Sequence, residues 1–148
     1  MPIPDLNNDG LLPPGVHVCT LDEVKARSGS FHVSDRRPRL FTALVELVAE
    51  LRRSDLFVAI ILDGSFVTAT LAPNDIDLIL ALRRTHDWKH EPAPHEYNVL
   101  SRRRLRRRFG FDVFLVVDGD PGYEEMVEFF SGVRDNPDVR KGVLRIKL

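Results

Sequence analysis

Two aspartates one residue apart, Asp75 and Asp77, head an apolar run that reads PNDIDLILAL from residue 73. In an extended strand such residues project to one side, with Cα atoms roughly 6.6 to 6.8 Å apart, so both carboxylates face the same place. Ionised neighbours in a half-buried site repel, and either one pKa rises or a cation settles between them. No Lys or Arg lies between Gly64 and Ala81, so the local sequence offers no organic counter-ion. A divalent metal fits instead, since Mg²⁺ takes carboxylate and water oxygens in an octahedral shell. Asp112 is the only charge from Phe109 to Val117. If its strand neighbours that of Asp77, three acids converge and can hold one or two ions. Such ions clamp the attacking and leaving oxygens of a phosphoryl displacement, roughly 3.5 to 4 Å apart. Gly64-Ser65, at the end of an apolar run, is suited to offering backbone N–H groups to phosphate.

The elements that must position these residues follow from period and punctuation. LFVAIIL at 56–62 is short, apolar and β-branched and ends at Asp63-Gly64, as a buried strand does. DIDLILAL from 75 and FDVFLVV from 111 are expected as two more strands, and 66–72 is too short to decide, one helical turn stopped by Pro73 being one option. Leu40, Leu44, Leu47, Val48 and Leu51 recur at helical spacing and predict a helix from Ser34 to about Arg53. Thr20 to Glu23 is a capping box opening a short helix that Gly29 ends. HDWKHEPAPHEY is expected as a loop, followed by a helix from about Glu96 to Phe109 that Gly110 terminates. Asp120-Pro121 reads as an N-cap followed by proline at the first helical position. DNPD is expected as a turn, and KGVLRIKL as a half-exposed strand. Residues 1–19, rich in Pro, Gly and Asn, are expected as an irregular arm. The sum is one α+β (α/β-like) domain over 1–148, a small mixed sheet flanked by helices.

Gly64-Ser65, nine intervening residues, Asp75-Ile76-Asp77 and a later strand acid in Asp112 together resemble the DNA polymerase beta-type nucleotidyltransferase superfamily. More narrowly, DLNNDGLLPPGVH, LDGSFVT, PNDIDL, FDVFLVV and KGVLRI are similar to short bacterial nucleotidyltransferase-like proteins, relatives of the minimal nucleotidyltransferases of toxin–antitoxin pairs. The resemblance implies a nucleotidyltransferase fold with helices on one face of a mixed sheet. It also implies two Mg²⁺ ions and transfer of a nucleoside monophosphate from a nucleoside triphosphate such as ATP to a hydroxyl of a protein or RNA. In that scheme Asp75, Asp77 and Asp112 bind metal and act in catalysis, Asp112 helping to activate the acceptor. Gly64, Ser65 and Thr68 lie along the triphosphate, Thr68 standing where minimal members often carry an arginine. The alternative is a catalytically inactive module, an antitoxin or scaffold working by contact with a protein from a neighbouring gene or with RNA.

The remaining features are weaker. RRRLRRR at 102–108 packs six arginines into seven residues; such a helix is usually a solvated face, and its functional reading is RNA contact through Arg102, Arg103, Arg106 and Arg107. His86, His90 and His95 sit among prolines with no completing zinc spacing; Trp88 and Tyr97 could stack a base, though lone aromatics more often pack, and Lys141 could touch a phosphate, though a solvated lysine is the commoner case. Of 148 residues, 43% are hydrophobic and 29% charged, with net charge -1, a globular composition. One cysteine excludes an intrachain disulfide framework, and no apolar run approaches the roughly 18 residues of a membrane span. A cytoplasmic protein without membrane contact is the expectation.

Overall fold

The computed structural model describes residues 3–29, 35–70, 73, 75–84, 93–133 and 136–148. Within them the chain is α+β. The strands are β1 (Gly15–Cys19), β2 (Phe57–Asp63), β3 (Asp77–Leu82), β4 (Asp112–Val117), β5 (Gly132–Val133), β6 (Asn136–Arg140) and β7 (Gly142–Lys147). The helices are α1 (Leu21–Val24), continued as a π turn to Gly29, then α2 (Arg36–Ser54), α3 (Pro94–Leu100), α4 (Arg102–Phe109) and α5 (Pro121–Phe130), with a 3₁₀ turn at Ser65–Val67.

Five strands form one mixed sheet in the order β1-β7-β2-β3-β4, and β5 and β6 pair as a separate hairpin. β7 and β3 run antiparallel to β2, while β1 lies parallel to β7 and β4 parallel to β3. Strand alternation sorts the core into two layers. Ile60, Leu62, Leu78, Leu80, Val113, Leu144 and Ile146 face the first layer, with Leu44, Leu47 and Leu51 of α2, Val99 of α3 and Leu105 of α4. Ala59, Ile61, Ile79, Ala81 and Val143 face the other, against Tyr123, Val127 and Phe130 of α5. The helix period of α2 thus buries Leu44, Leu47, Val48 and Leu51 as its spacing indicated, with Leu40 half-buried at the margin. Burial of about a dozen such side chains, at roughly 1.5 to 3 kcal/mol each, is what holds the sheet between its helices.

Several expectations are corrected. The irregular arm contains β1, whose backbone is organised by parallel pairing with β7 from the far end of the chain. The expected helix of residues 96–109 is two helices that meet at Ser101, extended at φ -93°, ψ 110°, whose hydroxyl accepts from Arg104 N–H at 3.3 Å and caps α4. α3 also starts earlier, at Pro94, inside the expected loop, because Glu96 caps Ala93 N–H at 2.9 Å. Of the expected DNPD turn, Asn136 to Asp138 lie in β6, which pairs with β5, and Asp135 lies outside the described residues. β7 is an interior strand with Val143 buried, rather than a half-exposed one. Helices cover both faces of the sheet, α5 taking the second. His86, Trp88 and His90, the side chain of His95 and the end of the turn at 66–72 lie outside the described residues. Cys19 is buried, and burial pushes its thiol up to about 11, the behaviour of a packing residue.

Candidate metal centre

Register sets the site. Asp63 of β2 pairs with Asp77 of β3, and Asp77 pairs with Asp112 of β4. Directly paired residues point to one face, so three aspartates form a rung across three adjacent strands. By alternation the rung shares the second face with Ile61, Ile79 and Phe114, at the sheet end where β2 finishes and β3 and β4 begin.

Asp75 joins from just before β3. The strand starts at Asp77, so strand alternation does not position Asp75 as the sequence suggested; its side chain is turned by a short local bond in which Ile76 N–H donates to Asp75 Oδ1 at 2.7 Å. Even so, carboxylate oxygens of Asp75, Asp77 and Asp112 all lie within 4.8 Å of one another, and each residue is half-buried. Hard oxygen donors that close, open on one side to water, suit a cation that keeps part of its water shell. Burial pushes the Asp75 and Asp77 carboxyls above the ordinary carboxylate range; Asp77 raises Asp75 further, while Lys141 pulls Asp77 down.

The Gly64-Ser65 turn lies against this cluster. Gly64 has φ +89°, and a Cβ there would meet the Asp77 amide N and Oδ2, each at 3.2 Å. Only glycine lets the backbone pass that close to the carboxylate. The 3₁₀ turn follows at once, with Thr68 N–H and Thr68 Oγ1 both donating to Ser65 C=O, at 3.2 and 2.8 Å. The Thr68 hydroxyl also meets Thr70 Oγ1 at 2.9 Å, so it braces the turn.

Three residues of the site were not singled out from sequence, or were given another role. Arg37 is buried, at 2% exposure, and its guanidinium donates to the carbonyls of Phe66 (2.5 Å), Thr68 (2.8 Å) and Thr70 (2.5 Å) and stacks 5.5 Å from the Phe66 ring centroid. It ties the turn after Gly64-Ser65 to the start of α2. Asp63 is buried, and its carboxyl is pushed up by burial, with Asp77 adding to the rise and Lys141 and the Gly64 amide opposing it. Lys141 is no solvated lysine: its Nζ lies 3.1 Å from Asp63 Oδ1. At the other end of the rung, Arg106 of α4 forms an ion pair with Asp112. The organic counter-ions absent from residues 64–81 therefore arrive from distant segments. The signal for Asp63 was its place beside Gly64, which read as turn punctuation alone.

The chain belongs to a family of unknown function, DUF6932, whose model matches residues 4–147. No curated protein and no solved structure matches it.

Proposed function

We propose that this DUF6932 protein is a Mg²⁺-dependent nucleotidyltransferase, which moves a nucleoside monophosphate from a nucleoside triphosphate onto a hydroxyl acceptor. The observation that carries it is the convergence of Asp75, Asp77 and Asp112 at a rung whose neighbour is the Gly64-Ser65 turn. In the transfer, the acceptor oxygen forms a bond to the α-phosphorus, the bond from that phosphorus to the β-phosphate oxygen breaks, pyrophosphate leaves, and the hydroxyl proton passes to solvent.

Asp75, Asp77 and Asp112 would hold the metal. A divalent ion there supplies charge neutralisation to the phosphates and acidifies the acceptor hydroxyl. The chain's own groups do the rest. Gly64 lets the backbone approach the carboxylates closely, Arg37 fixes the carbonyls of the following turn so that its other face can meet phosphate, and Asp112, at the edge strand, is the acid nearest an incoming acceptor. No helix among the described residues is long and apolar enough to cross a membrane, and a reducing cytoplasm supplied with ATP and Mg²⁺ belongs to the same proposal.

The test is to incubate the protein with each α-labelled nucleoside triphosphate, Mg²⁺ and a cell extract. Label on a macromolecule that disappears with Asp77→Asn supports the reading; equal labelling by wild type and variant overturns it. A second reading, an inactive module acting by contact with a partner protein, draws on the organic cations already present at both ends of the rung. It predicts a partner complex indifferent to chelation and to Asp75→Ala.

A further inference from the structure

α4 is anchored by Leu105, which is 1% exposed. At about 100° per residue, Arg103 and Arg107 each project about 160° away from Leu105, so these two form the outermost stripe. The other arginines are engaged. On one side Arg104 donates to Asn98 Oδ1 at 2.7 Å and lies 4.4 Å over the Tyr97 ring, and Arg108 pairs with Glu50. On the other, Arg102 lies 4.8 Å over the Phe114 ring and Arg106 pairs with Asp112. Arg103 and Arg107 make no hydrogen bond, ion pair or ring contact among the described residues.

The stripe leads somewhere. A cleft of about 340 Å³ between α4 and β4 is lined by Arg102, Arg103, Arg106, Phe111, Asp112 and Val113. A cationic surface therefore runs from the outer face of α4 directly to the edge acid of the metal centre. Six arginines in one two-turn helix repel one another and weaken it, yet among the described residues only Arg106 and Arg108 of this helix meet acids. A polyanion from outside the chain would complement the stripe.

We propose that α4 and its cleft seat the phosphodiester backbone of a single-stranded RNA whose hydroxyl is the acceptor at Asp112. Arginine's planar fork matches phosphate in two-point geometry. Residues four apart, with Cβ atoms about 5 to 6 Å from one another, present two forks along one line. Tyr97, half-exposed beside the stripe with Arg104 on its ring, adds a surface on which a base can stack. An acidic protein segment would engage the charges but leave the ring unused. The inference rests on the proposed transfer only for the word acceptor; binding itself stands apart from it.

Binding of the full chain to a fluorescein-labelled, unstructured 20-nucleotide RNA, measured by anisotropy in EDTA between 50 and 200 mM KCl, tests this. Wild type is expected to bind with steep salt dependence. Arg103→Gln with Arg107→Gln should weaken binding about tenfold at 50 mM and reduce the slope of log K against log [salt] by roughly 1.4, two phosphates at about 0.7 each. Arg52→Gln, on α2, should leave the slope unchanged. No RNA binding by wild type, or a slope the double variant does not alter, overturns the proposal. Label transferred to a protein without RNA binding does the same while sparing the nucleotidyltransferase reading. RNA bound with no label transferred supports the surface and counts against that reading alone.

Discussion

Asp63 and Asp112 stand at opposite ends of one rung, and their surroundings differ in every respect but the presence of a cation. The Asp63 side chain is 6% exposed and its partner Lys141 17%; the Asp112 side chain is 44% exposed and its partner Arg106 65%. Lys141 is delivered by the junction of β6 and β7 to the end of the central strand β2, whereas Arg106 reaches from a surface helix to an edge strand. The β2 end is closed and holds its charge against a fixed partner. The β4 end is open, and its partner competes with water and with any ligand that arrives. One rung thus combines a scaffold and a working edge.

The sharpest break in this comparison is removal of each cation. Lys141→Met leaves Asp63 buried without its ammonium and is expected to cost about 3 to 5 kcal/mol, as breaking a buried pair does. Arg106→Met, at an exposed pair, should cost about 0 to 1 kcal/mol. Urea unfolding of both variants at neutral pH measures the contrast. Asp63→Asn added to Lys141→Met should recover most of the loss, since the orphaned charge is then gone. A cost for Lys141→Met below about 1 kcal/mol would erase the distinction between the two ends.

The closed end was the part least legible in the sequence. Asp63 ends an apolar run and looks like the start of a turn; what makes it an element of the site is register with Asp77 and a lysine near the other terminus of the chain. Arg37 was hidden in the same way, among the charges of RRPR at the start of α2, because burial of one arginine out of three depends on which loop packs over it. β1 escaped notice since its pairing is parallel and with the last strand. By contrast Asp77, Asp112 and the core face of α2 were readable from spacing, because local periodicity determines which side chains share a face, whereas Asp75, read as a strand neighbour of Asp77, reaches the cluster from outside β3 through its bond with Ile76 N–H. The break at Ser101 carried a signal that the single expected helix passed over, serine at a helix start being a capping residue, directly before the arginine run of 102–108.

The next effect in size concerns the metal. With Mg²⁺ or Mn²⁺ at about 100 times its dissociation constant, binding to the folded form alone adds about 2.7 kcal/mol, a rise in Tm on the order of 5 to 10 °C for a chain of this length. The pH dependence has a definite sign. Asp63, Asp75 and Asp77 have folded-state pKa values raised above 3.8, so the metal-free fold binds more protons than the unfolded chain from that value up to the raised ones. Their stabilising protonation is complete at low pH and is lost as pH rises through the raised values. Metal and proton compete for the same oxygens, so the metal-induced shift in Tm should be full at pH 8 and vanish toward pH 4. Asp77→Asn should abolish it at every pH; a shift that survives in this variant would place the cation elsewhere.

The smallest expected effect isolates the open end. If Arg106 is an exchangeable partner of Asp112, the guanidinium and a metal ion contend for one carboxylate, and Arg106→Gln removes a competitor as well as a repelling charge. An exposed pair is worth about 0.2 to 1 kcal/mol, which corresponds to roughly 1.4- to 5-fold tighter Mn²⁺ binding, measurable by isothermal titration. At the closed end the sign reverses: Lys141→Met unseals Asp63 and disturbs the strand that carries Asp77's partner, so affinity should fall. Arg106→Gln that weakens Mn²⁺ binding would mean that Arg106 orients Asp112 for the metal, and the β4 end would then be as much a scaffold as the β2 end.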